Sequence, residues 1–242
     1  MIGFENVGYA YPGGSPVLDG ITFEVSDGEK VGLVGANGAG KSTLLKCVPG
    51  LLEASGIITV SGLRVSRENI AEIRRKVGFV LQDPDNQMFM PKVIDDMIFG
   101  PVNYGSTREE AEEQADSVLR GLGIPHLRDR YNHRISGGEK RMAAIATVLA
   151  MRPDVMLMDE PSSSLDPRNR RALINTLSGL DKTMIIASHD LDMILDLCPR
   201  VILLDHGTLI ADGETAGILR DRELLESHGL ELPLSLSGQK GI

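Results

Sequence analysis

Residues 35–43 read Gly35-Ala36-Asn37-Gly38-Ala39-Gly40-Lys41-Ser42-Thr43 and match the pattern G-x-x-x-x-G-K-[ST]. The apolar run VGLVG leads into this stretch and the helix-forming run KSTLLKCV continues it, so the pattern stands between a predicted strand and a predicted helix. In that setting glycine N–H groups turn toward phosphates, Lys41 reaches the β and γ oxygens, and Ser42 offers a hydroxyl to Mg²⁺. The stretch therefore predicts a loop that binds the phosphates of a nucleotide.

Apolar runs beyond this loop predict further strands of a parallel α/β sheet, because strands buried on both faces are apolar throughout. These runs are Val77 to Leu81, Val155 to Met158, Met184 to Ala187 and Val201 to Leu204. Residues 1–30 alternate apolar and polar positions, as in Ile21, Phe23 and Val25, and predict an antiparallel edge. Thr107 and Glu110 form a capping box at the start of a predicted helix. We expect a nucleotide-binding α/β core from 1–82 and 152–225, a helical subdomain from 83–151, and a C-terminal tail from 226–242.

The composition disfavours several classes of protein. The 242 residues carry a net charge of −9, which argues against a general nucleic-acid binder. Cys47 and Cys198 cannot build a disulfide framework, and the histidines form no cluster with them that would indicate a structural metal site. No apolar run approaches the roughly 18 residues that cross a bilayer, and the chain start does not resemble a signal peptide. We therefore expect a cytosolic chain with, at most, a peripheral membrane role.

Two carboxylates, Asp159-Glu160, end the apolar run Val155 to Met158. Ligand sites of open α/β sheets lie at the carboxyl ends of strands, so this pair is expected to face the phosphate loop. Asp159 would then hold Mg²⁺, and Glu160 would orient and partly deprotonate an attacking water. Without the phosphate loop, such a pair would be interpreted as a helix N-cap or a solvated turn.

A second glycine motif, Ile135-Ser136-Gly137-Gly138-Glu139-Lys140-Arg141, precedes the apolar run AAIATVLA and predicts a helix N-terminus able to bind an anion. Together with residues 35–43, Gln82, Asp159-Glu160, Ser164-Leu165-Asp166 and His189, in this order, it resembles the nucleotide-binding subunit of ATP-binding-cassette (ABC) proteins over nearly the whole chain. The resemblance implies a P-loop NTPase fold, in which a RecA-like α/β core carries an N-terminal antiparallel β subdomain and an inserted α-helical subdomain. It also implies two subunits that sandwich two ATP molecules.

The resemblance assigns roles to individual residues. Glu160, His189 and Gln82 would be catalytic, and Mg²⁺ would be held by Ser42, Gln82 and Asp159. ATP would be bound by Tyr11, Gly35, Ala36, Asn37, Gly38, Ala39, Gly40, Lys41, Ser42 and Thr43. The partner protomer's ATP would be contacted by Ser136, Gly137, Gly138, Glu139 and Asp166.

Three of these assignments have simpler alternatives. Tyr11, which would stack on adenine, could be a core tyrosine, and a lone histidine such as His189 is usually structural. Glu139 stands where the family more often has glutamine. Because Ser136-x-x-Glu139 is also a capping box, Glu139 could face the Ser136 amide instead of the nucleotide.

Four segments narrow the resemblance to the ATPase subunits of energy-coupling-factor transporters, including the cobalt and nickel uptake type: YAYPGGSPVLDG, VLQDPDNQMFM, VIDDMIFGPVNYG and LAMRPDVMLMDEPSSSLDP. This branch implies an ATPase at the cytoplasmic face of the membrane that powers uptake of cobalt, nickel or a vitamin. Its partners would be integral membrane subunits and a second ATPase subunit, identical or related, and not a nucleic acid. An apolar cluster after Gln82 either seats a partner's helix or packs inside the helical subdomain, and it comprises Met88, Phe89, Met90, Met97, Ile98 and Phe99.

Two other functions compete with transport. One is a soluble ABC ATPase that serves an assembly or repair complex, such as iron-sulphur cluster assembly. The other is nucleotide binding without turnover, against which the presence of Glu160 argues.

Overall fold

The computed structural model describes residues 1–237. The strands are β1 (Ile2–Ala10), β2 (Pro16–Val25), β3 (Lys30–Val34), β4 (Ser55–Val60), β5 (Leu63–Arg64), β6 (Val77–Val80), β7 (Val155–Asp159), β8 (Thr183–Ala187), β9 (Arg200–Asp205) and β10 (Thr208–Glu214). The helices are α1 (Lys41–Cys47), α2 (Ile70–Lys76), α3 (Val93–Asn103), α4 (Arg108–Gly121), α5 (Gly137–Ala150), α6 (Pro167–Ser178), α7 (Leu191–Leu197), α8 (Thr215–Ile218), α9 (Arg222–Ser227) and α10 (Leu234–Ser237). Short 3-10 turns lie at Pro84–Asn86, Pro125–Leu127 and Asn132–Arg134.

The larger sheet has the strand order β10-β9-β3-β8-β7-β6. All neighbours in it run parallel except β10, which is antiparallel to β9. Both faces of the sheet are buried, since Val155 and Leu157 pack in one apolar cluster and Met156 and Met158 in the other. The parallel sheet predicted from continuous apolar runs is therefore confirmed. The phosphate-loop stretch begins where β3, an inner strand of this sheet, ends.

The smaller sheet is antiparallel and has the order β2-β1-β4-β5. The alternation in β2 places Ile21, Phe23 and Val25 in the core, and Phe23 stacks on Phe4 with ring centroids 4.4 Å apart. These side chains share one apolar cluster with Leu44 of α1. The predicted N-terminal antiparallel β subdomain is thus present and covers the helix that begins at the phosphate loop.

Helices α3, α4 and α5 lie between β6 and β7 in the chain and pack on one another. The capping box predicted for α4 is formed: the Thr107 side chain accepts a hydrogen bond from the Glu110 N–H, and the Glu110 carboxylate accepts one from the Thr107 N–H. Helix α3 falls within the predicted helical subdomain without being predicted as a separate element, and Pro101 stands in its last turn. The subdomain boundaries suggested by the sequence, 83–151 among them, remain predictions. Among the described residues, no helix has the length and apolar character that crossing a membrane requires.

Candidate active site

The phosphate loop connects the end of β3 to the start of α1. Its last residue, Gly40, is the N-cap of α1 and has φ 103°, a backbone conformation that residues with a Cβ rarely adopt. At the other end of the loop, a Cβ on Gly35 would lie 2.2 Å from the Leu204 carbonyl oxygen. No side chain of the described residues caps helix α1, and its first turn contains no acidic residue. Its N-terminal amides are therefore free of competing carboxylates and can bind an anion.

Lys41 is buried beside this loop, with 7% of its surface exposed. Its Nζ donates to the carbonyl oxygens of Gly35 at 2.7 Å and Ala36 at 3.1 Å. Burial lowers the pKa of Lys41, and the negative charges of Glu160 and Asp159 oppose that effect. The ammonium group is therefore held at the loop by carbonyls that a phosphate oxygen can replace as its hydrogen-bond acceptor.

Asp159 ends β7 and is 3% exposed. Its Oδ1 accepts a hydrogen bond of 2.8 Å from the Ser42 hydroxyl. Burial raises the pKa of Asp159 despite that hydrogen bond. Mg²⁺ prefers oxygen ligands and is usually bound by one or two protein groups together with substrate phosphates and water. The donor set of Asp159 and Ser42 fits that ion.

Glu160 follows directly and has φ 51°, which is strained for a residue with a side chain. The backbone is held by a hydrogen bond from the Glu160 N–H to the Ala187 carbonyl, at 2.8 Å. The Glu160 Oε2 accepts from the His189 N–H at 3.2 Å and from the Ser188 hydroxyl at 3.3 Å, and it lies 2.7 Å from His189 Nδ1. The ends of β7 and β8 therefore bring Glu160 and His189 into direct contact. Ser188 was missed by the sequence analysis, although its place next to His189 could have indicated it.

A cleft of about 450 Å³ opens over the phosphate loop. Its lining contains Tyr11, Val17, Asn37, Gly38, Ala39, Gly40, Lys41, Ser42, Thr43, Gln82 and Glu160. Tyr11 is 45% exposed and packs edge to face on Tyr9, with ring centroids 5.0 Å apart, so it is not a core tyrosine. Val17 belongs to the lining and carries no sequence signal that marks it.

Ser136, Gly137, Gly138 and Glu139 do not line this cleft. They start α5, where Ser136 Oγ accepts from the Glu139 N–H at 3.3 Å, and Glu139 Oε2 accepts from the Ser136 N–H at 2.9 Å. The Ser136 hydroxyl also donates to Glu139 Oε2 at 2.8 Å. These hydrogen bonds from Ser136, first of all the one from its backbone N–H, hold the pKa of Glu139 below its usual value. Glu139 is therefore a capping residue in this structure.

Asp166 also lies outside the cleft lining and caps α6 by accepting from the Arg168 and Asn169 N–H groups. Asn169 Nδ2 in turn donates to Asp166 Oδ2 at 2.7 Å, and it lies 2.9 Å from the place a Cβ on Gly138 would occupy. The start of α5 and the start of α6 are therefore neighbours within one chain. The predicted site residues thus form two groups, one around the cleft and one at these two helix starts.

Comparisons with known proteins agree with this arrangement. Residues 18–163 match the profile of a protein family described as ABC transporter. A putative ABC transporter ATP-binding protein of Geobacter sulfurreducens is 48% identical over 95% of this chain and 93% of its own length. The energy-coupling factor transporter ATP-binding protein EcfA of Methanothermobacter thermautotrophicus is 42% identical over 96% of this chain and 77% of its own length. Among solved structures, cbiO1 from Clostridium perfringens, described as part of the ABC transporter complex cbiONQ, superposes with a TM-score of 0.83 at 35% identity, covering 98% of this chain and 97% of that one.

The chain belongs to the ABC transporter family and is an ATPase of that family. Within the family, the resemblance to ATP-binding subunits of the energy-coupling factor type, which four sequence segments predicted, is confirmed.

Proposed function

We propose that this chain acts as a dimer that binds two Mg²⁺-ATP molecules between its protomers and hydrolyses them to power uptake through separate membrane subunits. The observation that carries the proposal is the division of the site. The cleft is lined by the phosphate loop and Glu160, whereas the Ser136 group lies outside it at the start of α5. A second copy, or a related ATPase, would supply Ser136, Gly137 and Gly138 to the open side of each nucleotide.

Glu160 would act on the attacking water. Its Oε2 is oriented by the His189 N–H and the Ser188 hydroxyl, so the carboxylate is in place to accept a proton. The His189 side chain is 66% exposed and its Nδ1 lies 2.7 Å from Glu160 Oε2, a position from which it would reach the γ-phosphate. Gln82 would contact the same water or the ion.

Ser42 and Asp159 would hold Mg²⁺, with Gln82 as a further ligand. When bound, the ion supplies positive charge that stabilises the phosphate oxygens during transfer to water. Asp159 is buried with a raised pKa, and a nearby positive charge favours its ionised form.

The apolar cluster after Gln82 divides into buried and exposed parts. Met88, Met97 and Ile98 are buried in the main core, as the structural alternative predicted. Phe89 is 65% exposed and Phe99 is 42% exposed, and the two rings pack edge to face with centroids 5.0 Å apart. They line a groove of about 220 Å³ whose lining also includes the apolar residues Phe79, Val148 and Met151 and the polar residues Gln87, Asp96 and Thr147. We propose that a helix of a membrane subunit binds there, so that the chain works at the cytoplasmic face of the membrane.

The proposed cargo is cobalt, nickel or a vitamin. The support is the resemblance of the four sequence segments to the energy-coupling-factor ATPases that include the cobalt and nickel uptake type, and selection of the cargo would rest with the membrane subunits.

Substitution Glu160→Gln tests the hydrolytic part of this proposal. The amide keeps its size and can still accept the His189 hydrogen bond, but it cannot take a proton, so phosphate release should fall by about 100-fold or more while ATP affinity is retained. Steady-state phosphate release and equilibrium ATP binding measure the two effects. Unchanged turnover would remove Glu160 from its assigned role.

Recovery of the chain from detergent-solubilised native membranes tests the transport part. Mass spectrometry should identify a multi-helix membrane scaffold together with a substrate-binding membrane protein, and recovery should be lost in a Phe89→Ala/Phe99→Ala variant that still binds ATP. Leu234→Ala, which truncates another exposed apolar side chain at 81% exposure, is the matched control. Finding only soluble partners would instead favour the assembly-complex function.

A further inference from the structure

Arg141 is a buried arginine of α5 that makes no ion pair with a carboxylate among residues 1–237. It is 4% exposed. Its Nη1 donates to the Leu81 carbonyl at 2.7 Å, and its Nη2 donates to the Gln82 carbonyl. Its Nε is buried and has no hydrogen-bond partner within the described part of the chain. Buried arginines are rare unless they are paired, so this side chain requires an explanation.

Packing alone does not supply one. Burial lowers the pKa of Arg141, and the charges of Asp83, Asp159 and Glu160 oppose that effect from a distance. A guanidinium nevertheless stays protonated in proteins, so a cation is kept in the interior where an apolar side chain of similar length would avoid the desolvation cost. What Arg141 has, and a methionine would lack, is the pair of hydrogen bonds to two successive carbonyls.

Those two carbonyls lie where the chain leaves the sheet. Strand β6 ends at Val80, and Leu81 and Gln82 follow it toward the nucleotide cleft, which Gln82 lines. A planar guanidinium donates in a fixed fork, so it sets the orientation of both peptide groups. The Gln87 side chain is a second link between Leu81 and α5. Its Oε1 accepts from the Leu81 N–H at 3.0 Å, and its Nε2 donates to the Ala144 carbonyl of α5 at 2.6 Å.

The Gln82 carbonyl is therefore held from α5, the helix that begins at Ser136. Arg141 stands about one and a half turns after Ser136 on that helix. In the proposed dimer, Ser136 faces the partner's nucleotide while Gln82 faces the nucleotide of its own chain. Helix α5 would then contact the partner's nucleotide through Ser136 and the Gln82 carbonyl of its own chain through Arg141.

We infer that Arg141 is a positioning residue for hydrolysis: it fixes Gln82 in the cleft and links the cleft to the α5 start that faces the second ATP. The inference rests on the proposed dimer function. Arg141 itself touches neither the nucleotide nor the water.

A double-mutant cycle between Arg141→Met and Gln82→Ala tests this role. If Arg141 acts through Gln82, Arg141→Met should lower kcat about tenfold or more with ATP affinity changed less than about threefold, and it should have almost no further effect on kcat in the Gln82→Ala background. An equal loss of kcat in both backgrounds would overturn the inference, as would a kcat within about twofold of wild type in the single variant.

Three further measurements keep the result interpretable. Arg141→Lys, which retains the charge but can serve only one carbonyl well, should lie between wild type and Arg141→Met even if the latter folds poorly. Lys140→Met is the matched control, since the neighbouring Lys140 pairs with Asp85 and leaves both carbonyls untouched. Hydrogen exchange of the amides from 81 to 88 should be faster in Arg141→Met, and unchanged exchange would contradict positioning without reference to turnover.

Failure of the proposed function looks different from failure of this inference. A chain that releases no phosphate, and that in the Glu160→Gln background pairs on ATP addition with neither a second copy nor a related ATPase recovered from the native membranes, would overturn the dimer proposal itself. In that case the exchange measurement still decides whether Arg141 fixes the segment that follows β6.

Discussion

Helices α1 and α5 both begin at glycine-rich motifs that are proposed to bind phosphate, yet their N-termini differ in capping. Helix α1 has Gly40 as its N-cap, no capping side chain and no acid in its first turn. Helix α5 has a complete capping box, in which the Glu139 carboxylate occupies the amide of Ser136. A carboxylate at a helix N-terminus stabilises the helix, but it repels an approaching phosphate. In the chain without nucleotide, the N-terminal amides of α1 are therefore available to a phosphate, whereas the start of α5 is already hydrogen-bonded by its own capping box.

The largest effect expected from breaking this contrast is at α1. Lys41→Met should weaken ATP binding by about 100-fold, because it removes a charged donor from the β and γ oxygens and each tenfold corresponds to about 1.4 kcal/mol. Equilibrium ATP binding to the purified chain measures the loss. Lys46→Met, in the last turn of the same helix, is the matched control. Similar losses in the two variants would mean that net charge, and not the phosphate loop, governs the affinity.

The second test separates capping from ligand contact at α5. Ser136→Ala and Thr107→Ala remove the same kind of cap from α5 and α4, so each should lower the free energy of unfolding by about 1 kcal/mol. Only Ser136→Ala should also lower ATP hydrolysis, by about tenfold, because its hydroxyl is proposed to meet the partner's nucleotide. Denaturant unfolding and phosphate release give the two readings. Equal rates of ATP hydrolysis in Ser136→Ala and Thr107→Ala would mean that Ser136 acts only as a helix cap.

The smallest effect is expected at Glu139. Glu139→Gln removes the negative charge beside the proposed phosphate site, so ATP-dependent dimerisation in the Glu160→Gln background should strengthen a few-fold, and less so at high salt. Size-exclusion chromatography with light scattering at graded ATP concentrations measures it. Weaker dimerisation would show that the charge contributes to nucleotide contact after all.

The same substitution has a pH signature in stability. The pKa of Glu139 is held below its usual value of about 4.3 in the folded chain, so its ionised form stabilises the fold above that pH and the benefit is lost as pH falls through the folded value. At neutral pH the Glu139→Gln variant should therefore unfold slightly more easily than wild type. The difference should shrink in acid, and a difference that persists there would contradict a role for the charge.

Local sequence patterns were enough to predict much of the fold and part of the candidate site. The phosphate loop, the apolar strands and both capping boxes depend on residues within a few positions of one another, so their patterns were readable before the structure. Helix α3 was not predicted as a separate element, although Val93, Ile94, Met97 and Ile98 stand at helical spacing and are buried; the turn-like residues before and after it hid this period.

Contacts between distant parts of the chain could not be read in the same way. Arg141 meets the Leu81 carbonyl across 60 positions, and its neighbours in sequence contain nothing that points to a strand end. The division of the apolar cluster also escaped prediction, because Met88 and Phe89 are adjacent and similar in hydrophobicity, yet one is 5% and the other 65% exposed. Their neighbours in sequence do not show that Met88 packs into the core while Phe89 packs on Phe99 at the surface.

The left-handed backbone at Glu160 has an evolutionary consequence. A non-glycine residue in that conformation costs of order 1–3 kcal/mol, and Glu160→Gly would remove that cost together with the carboxylate. The same substitution would also leave the Ser188 hydroxyl and the His189 N–H without the acceptor that Glu160 provides. The glutamate therefore stands at a position where the backbone alone would favour glycine, as expected of a residue retained for turnover.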